Sequence, residues 1–181
     1  MKYTTAWLID SLNRGENFKY IYFWGHQPSK SGEIIASCFS QWWKSSFKVN
    51  GFVYPTAEHW MMAQKALLFD DKENFKTILE AQSPGAVKAL GRQVKNFENE
   101  LWEEKRYEIV LKGNFYKFAQ NPELKEFLIK TGDRVIVEAS PLDSIWGVGL
   151  AADDERVNDP NSWQGLNLLG FALMEVRDML M

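Results

Sequence analysis

Residues 47–69 read FKVNGFVYPTAEHWMMAQKALLF, and the change of period inside this stretch decides the fold class. From Phe47 to Tyr54 apolar and polar side chains alternate about Asn50-Gly51, the dipeptide that favours a two-residue turn with positive φ at both positions, so a tight hairpin is predicted. Pro55 ends it. Thr56 then offers a side-chain oxygen to the free N–H groups of a first helical turn, and the helix formers behind it predict a helix to about Phe69. Alternation followed at once by a helical run is an α+β pattern.

Working outward, residues 4–13 form a short amphipathic pattern with Trp7, Leu8 and Leu12 on one side, read as a helical extension (1–18) ahead of a main domain (19–181). Lys19 to Trp24 (KYIYFW) has the composition of a buried strand. Helices are predicted over 72–82, 85–92, 99–120 and 122–130, with start signals at Asp71, Ser83-Pro84, Asn99 and Asn121-Pro122. Arg134 to Glu138 (RVIVE) reads as a short strand. Leu169, Ala172, Leu173, Val176 and Leu180 mark the buried face of a last helix from about Gly165. The expectation is a predominantly helical α+β single domain with a small β-sheet.

A net charge of −3, from 21 basic and 24 acidic side chains in 181 residues, gives no field that would hold a nucleic-acid backbone or an anionic membrane by charge alone. Any anionic ligand must be met locally. Cys38 is the only cysteine, which excludes an intrachain disulfide and a cysteine zinc cluster and fits a reducing cytoplasm. His26 and His59 lack an HExxH companion, so no metal is expected. No GxGxxG, Walker loop or GxSxG elbow occurs. The N-terminal apolar stretch is too short for a signal peptide and no run is long enough to span a bilayer, so no membrane partner is expected.

Four places can carry chemistry. Glu58 and Lys65 lie two turns apart on one side of the helix that begins at Thr56, about 10 Å along its axis. On spacing alone they read as a dipole-favoured glutamate and a surface lysine. The apolar neighbours Ala63, Ala66, Leu67 and Leu68 favour a second reading, a lysine near the core whose lowered pKa makes it an imine-forming nucleophile. Ser140 to Gly149 (SPLDSIWGVG) follows a strand and offers Asp143, Trp146 and two glycines that permit close backbone approach, or else a turn with Trp146 in the core. Asn167 behind Gly165 is placed to cap the last helix and leave N–H groups for a phosphate. Arg92 closes a helix, where it meets either a phosphate or the helix dipole.

In order along the chain, YFWGH (22–26), CFSQWW (38–43), the stretch quoted above, LGRQV (90–94), LWEEKR (101–106), KFAQNPELKEFL (117–128), TGDRVIVEASPLDSIWGVGL (131–150) and SWQGLNLLGFALMEVR (162–177) resemble the NADAR superfamily, specifically its YbiA-like branch. The resemblance begins near residue 20. It implies an N-glycosidase without metal or organic cofactor, acting on phosphoribosylaminopyrimidines, the first intermediates of riboflavin biosynthesis, and releasing ribose 5-phosphate. The family glutamate matches Glu58, its lysine two turns later Lys65, its helix tryptophan Trp102, and its D-x-x-W-G acid and tryptophan Asp143 and Trp146. Trp102, Trp146 and Trp42 become candidates for pocket walls, while Trp7 and Trp24 stay as core. Cleaving a ribosyl–N bond needs a carboxylate near the ring and a proton or hydrogen bond for the departing nitrogen, supplied here by Glu58 and Asp143. Lys65 then either attacks C1 or holds the phosphate.

Two features differ from the family pattern: Phe39-Ser40-Gln41-Trp42 stands for FSNF, and the stretch between Trp146 and Trp163 is longer. Both bear on substrate choice. Other members remove ADP-ribose from guanine with a lysine that forms a Schiff base, a role Lys65 would take. Nucleic acid is a partner only under that alternative, through a local basic groove of Lys44, Lys48, Lys88 and Arg92. A third reading is a non-catalytic binder of NAD or ADP-ribose.

Overall fold

Every element of the sequence reading has a counterpart in the computed structural model, which describes residues 1–181. In chain order they are α1 (Thr5–Asn13), β1 (Tyr20–Phe23), β2 (Phe47–Val49), β3 (Phe52–Tyr54), α2 (Ala57–Leu68), α3 (Lys72–Glu80), α4 (Pro84–Gly91), α5 (Asn99–Gln120), α6 (Pro122–Lys130), β4 (Val135–Glu138) and α7 (Leu168–Leu180). Three short 3₁₀ turns, at Ala36–Phe39, Glu155–Asn158 and Pro160–Ser162, had no signal in the sequence pattern. The α+β, mainly helical class stands. Its four strands pair two by two, β1 with β4 in parallel and β2 with β3 antiparallel.

Contacts divide the chain into two compact units, Met1–Ser40 with Pro122–Met181, and Gln41–Asn121. In the second unit the hairpin turns on Asn50 and Gly51, both at positive φ (51° and 87°), the two-residue geometry that Asn-Gly adopts at little cost. Phe47 and Tyr54 of the hairpin pack on Trp60 of α2, with the Tyr54 and Trp60 rings edge to face at 5.1 Å. Gly113 of α5 leaves room for that indole: an added Cβ would stand 2.3 Å from its Cδ1. The indole N–H donates to the Ile109 carbonyl at 2.8 Å. Gly113 thus lets α5 pack closely on Trp60.

In the first unit Val135, Ile136 and Val137 of β4 are wholly buried, and α7 crosses them closely enough that a Cβ on Gly170 would lie 2.1 Å from the Ile136 carbonyl. Arg177 of α7, also buried, donates to Thr131 Oγ1 and the Arg134 carbonyl and so ties the helix to the turn before β4. Helix α1 is capped by Thr4 and buries Leu8 fully, while Trp7 meets Tyr3 and Phe18. Trp24 corrects the sequence reading: it is 59% exposed and is no part of a core. It follows the last residue of β1, where the alternation that buries Phe23 turns its neighbour outward.

Candidate functional site

The N-terminus of α2 is built by three motif residues, Thr56, Glu58 and His59. Thr56 Oγ1 accepts the backbone N–H of His59 at 3.3 Å and caps the helix as expected. The His59 ring is buried between Thr56 Oγ1, 2.8 Å from Nδ1, and the Ala81 carbonyl, 3.0 Å from Nε2. A carbonyl only accepts, so Nε2 carries the proton and the Thr56 hydroxyl donates to Nδ1. Burial pushes the imidazole below its ordinary value, against the opposing hydrogen bond to Ala81. His59 is thus a neutral strut. Glu58, between them, is 3% exposed, and its backbone N–H donates to the Gln41 carbonyl at 2.9 Å. A carboxylate in a first helical turn, where the dipole favours negative charge, is held inside the unit.

Two turns further along α2, Lys65 donates from Nζ to the Gly91 carbonyl at 2.8 Å, at the end of α4. Its ammonium also stands 4.2 Å from the centroid of Phe97 and 5.4 Å from that of Trp102. Desolvation among these groups lowers its pKa, and the reading of Lys65 as a lysine near the core holds. Trp102 lies on α5 with its ring beside that amine. Phe97 was missed by sequence reasoning. Asn96 at φ +54° turns the chain ahead of it, and Phe69 braces its ring at 5.2 Å.

Arg92 is exposed and forms the C-cap of α4, directly after the carbonyl that Lys65 holds. Trp42 is half-buried, with Lys88 Nζ 6.0 Å from its ring centroid. Below Glu58, Gln41 is buried and accepts from Asn114 Nδ2 at 2.9 Å. Lys117, one turn beyond Asn114, is 0% exposed. A wholly buried lysine is rare, and only its place in the KFAQN segment pointed to it. Its spacing alone is that of any core-facing helix position.

The remaining sequence candidates lie in the other unit. Asp143 Oδ1 accepts the backbone N–H groups of Ile145 at 2.9 Å and Trp146 at 2.7 Å. This carboxylate therefore shapes the loop and fixes the half-buried Trp146. The glycines serve the same loop. A Cβ on Gly147 would meet the Glu138 carbonyl at 2.7 Å, and one on Gly149, at φ 71°, the Gln164 carbonyl carbon at 3.2 Å. Their close approach is to the protein's own backbone, which corrects the reading that they make room for a ligand.

Asn167 also departs from its expected part. It stands before α7 in the left-handed region, φ 52° and ψ 34°, and its side chain caps nothing; the helix begins at Leu168. Its amide instead accepts from Glu138 N at 3.0 Å and donates to Ile136 O at 2.9 Å. Fully buried, it completes the free edge of β4 as a third strand would, because an unpaired edge inside the protein would leave those backbone groups unsatisfied. No group of three or more His, Cys, Asp or Glu is arranged to hold a metal ion. No helix is long and apolar enough to cross a membrane.

The NADAR domain model matches residues 22–181, and the chain belongs to that family. It is 46% identical over 169 residues to an N-glycosidase of Acanthamoeba polyphaga mimivirus, covering 90% of this chain and 97% of that one. It is 31% identical over 144 residues to the N-glycosidase YbiA of Escherichia coli, covering 80% and 79%. The NMR structure of E. coli YbiA superposes with a TM-score of 0.71 at 28% identity, covering 91% of this chain and 86% of that one. These relatives are named for hydrolysis of N-glycosyl bonds.

Proposed function

We propose that the protein is an N-glycosidase that hydrolyses the ribosyl–nitrogen bond of phosphoribosylaminopyrimidines, disposing of a reactive metabolite as ribose 5-phosphate and a free aminopyrimidine. The observation that carries this reading is the pairing on α2 of a buried carboxylate, Glu58, with a desolvated amine, Lys65. It is supported by membership of a family whose relatives are N-glycosidases. The substrate class comes from the resemblance of the motifs.

The chemistry follows from the groups present. The amine of Lys65, its pKa lowered by desolvation, adds as the free base to C1 of the ring-opened ribosylamine. The aminopyrimidine leaves from C1 with a proton and a lysyl imine remains. Water then adds to the imine carbon, the C1–Nζ bond breaks, and ribose 5-phosphate departs with the amine regenerated. Glu58 moves the protons of these steps and stabilises positive charge at C1. Trp102 and Phe97 keep water from the amine. Asp143 shapes the loop of its own unit, by fixing Trp146.

The test is incubation of purified protein with ribosylated aminopyrimidines, with and without the 5-phosphate, and assay of the sugar released. Release of ribose 5-phosphate in step with the aminopyrimidine is expected, from protein made in a cytoplasmic expression host without added metal. Calorimetric binding of NAD or ADP-ribose with no turnover of any ribosylamine would contradict the reading.

A further inference from the structure

Arg106 is a half-buried cation that no acidic side chain pairs. It lies on α5 one turn after Trp102. Its Nε is closed off from solvent and has no hydrogen-bond acceptor. Neighbouring cations are paired: Lys105 with Glu104 and Lys112 with Glu108 form ion pairs on the same helix. Arg106 has none. The reason is its place on the wheel, since its neighbours four residues either way are Trp102 and Val110, and Glu103 projects from an exposed position without reaching it.

Its direction follows from the residues that flank it. Trp102, Arg106, Gly113 and Lys117 recur at helical spacing on one side of α5. Trp102 faces Lys65, and Gly113 faces the Trp60 indole. Arg106 stands between these two contacts, on the stripe turned toward α2. The guanidinium has donors only and cannot shed its charge. A buried donor without an acceptor costs folding free energy, and an anion reaching Arg106 would supply the missing acceptor. Lys65 Nζ already donates to the Gly91 carbonyl, whereas Arg106, one turn from Trp102, offers a planar fork suited to a phosphate.

We propose that Arg106 binds the phosphate monoester of the substrate, donating to its oxygens and so holding the ribose against Lys65 and Trp102. This rests on the N-glycosidase reading for the sugar but not for the anion. It also resolves the two roles open for Lys65, because the phosphate is held elsewhere and the amine is left for C1.

The test is calorimetric titration of the whole protein with ribose 5-phosphate, ribose and ADP-ribose, in wild type, Arg106→Lys and Arg106→Gln, with melting temperatures recorded alongside. Wild type is expected to bind ribose 5-phosphate, Arg106→Gln to bind it about 10- to 100-fold more weakly, and Arg106→Lys to fall between, as loss of charge-assisted hydrogen bonds implies. Affinity for ribose should not depend on residue 106. Arg106→Gln should melt no lower than wild type, since an unsatisfied guanidinium donor is removed. Equal affinity of wild type and Arg106→Gln for ribose 5-phosphate would overturn the proposal, as would its absence from wild type. Weakening of ADP-ribose alone would overturn it in favour of a diphosphate. Because binding is read without turnover, failure of the N-glycosidase reading would show in the activity assay and not here.

Discussion

The Lys65 ammonium lies 5.4 Å from the centre of the Trp102 ring, and the two side chains reach each other from different helices, α2 and α5. The lysine is thereby taken partly out of water, and desolvation lowers its pKa. Lys65 should accordingly be acylated by a limiting amine reagent at lower pH than the exposed Lys44. Trp102→Ala admits water and should move that profile up toward the exposed lysines. Competitive labelling read by mass spectrometry decides it, and coincident profiles for Lys65 and Lys44 would remove the physical basis for a nucleophilic role.

Borohydride reduction during turnover should convert the imine to a stable secondary amine and leave a ribose 5-phosphate adduct on Lys65. Peptide mapping locates it. An adduct on Lys117, the wholly buried lysine of α5, would transfer the role to that residue. Absence of any adduct would leave direct attack by water.

Asp143 is predicted to act through its loop. Asp143→Asn keeps an oxygen for the Ile145 and Trp146 N–H groups and should retain activity within about fivefold, whereas Asp143→Ala loses both hydrogen bonds and should cost about 1–3 kcal/mol of stability. Trp146 fluorescence and denaturant midpoints report the loop directly. Should Asn prove as inactive as Ala while the loop stays intact, Asp143 handles a proton.

The buried strut at His59 makes stability depend on pH. Its folded pKa lies below the ordinary 6.5, so as pH falls through 6.5 unfolded chains bind a proton that folded chains refuse. Stability present above that value is lost between it and the lower folded pKa. Denaturant midpoints of wild type should decline across this window, and His59→Gln should flatten the decline.

Much of this was legible in local pattern. Asn50-Gly51, Thr56, Asp71 and Ser83-Pro84 each set a turn or cap through groups within three residues, and the structure forms each of these. The placing of Lys65 near the core was legible from Ala63, Ala66, Leu67 and Leu68. What escaped depends on partners distant in sequence. The Asn167 amide is spent on β4 some 29 residues earlier, and no feature of its own neighbourhood tells a cap from an edge partner. Gly147 and Gly149 look like ligand-approach glycines until each is seen to face another backbone. Phe97 and Arg106 matter through Lys65 and Trp102, and their isolation or exposure has no sequence signature.

Glu58 is the proton-handling group of the proposed reaction. Release of ribose 5-phosphate from a phosphoribosylaminopyrimidine, timed for wild type and Glu58→Gln under identical conditions, tests it most directly. Wild type should release one sugar phosphate per aminopyrimidine, and Glu58→Gln should do so about 10²- to 10⁴-fold more slowly with its melting temperature preserved. A Glu58→Gln protein as fast as wild type would contradict the account.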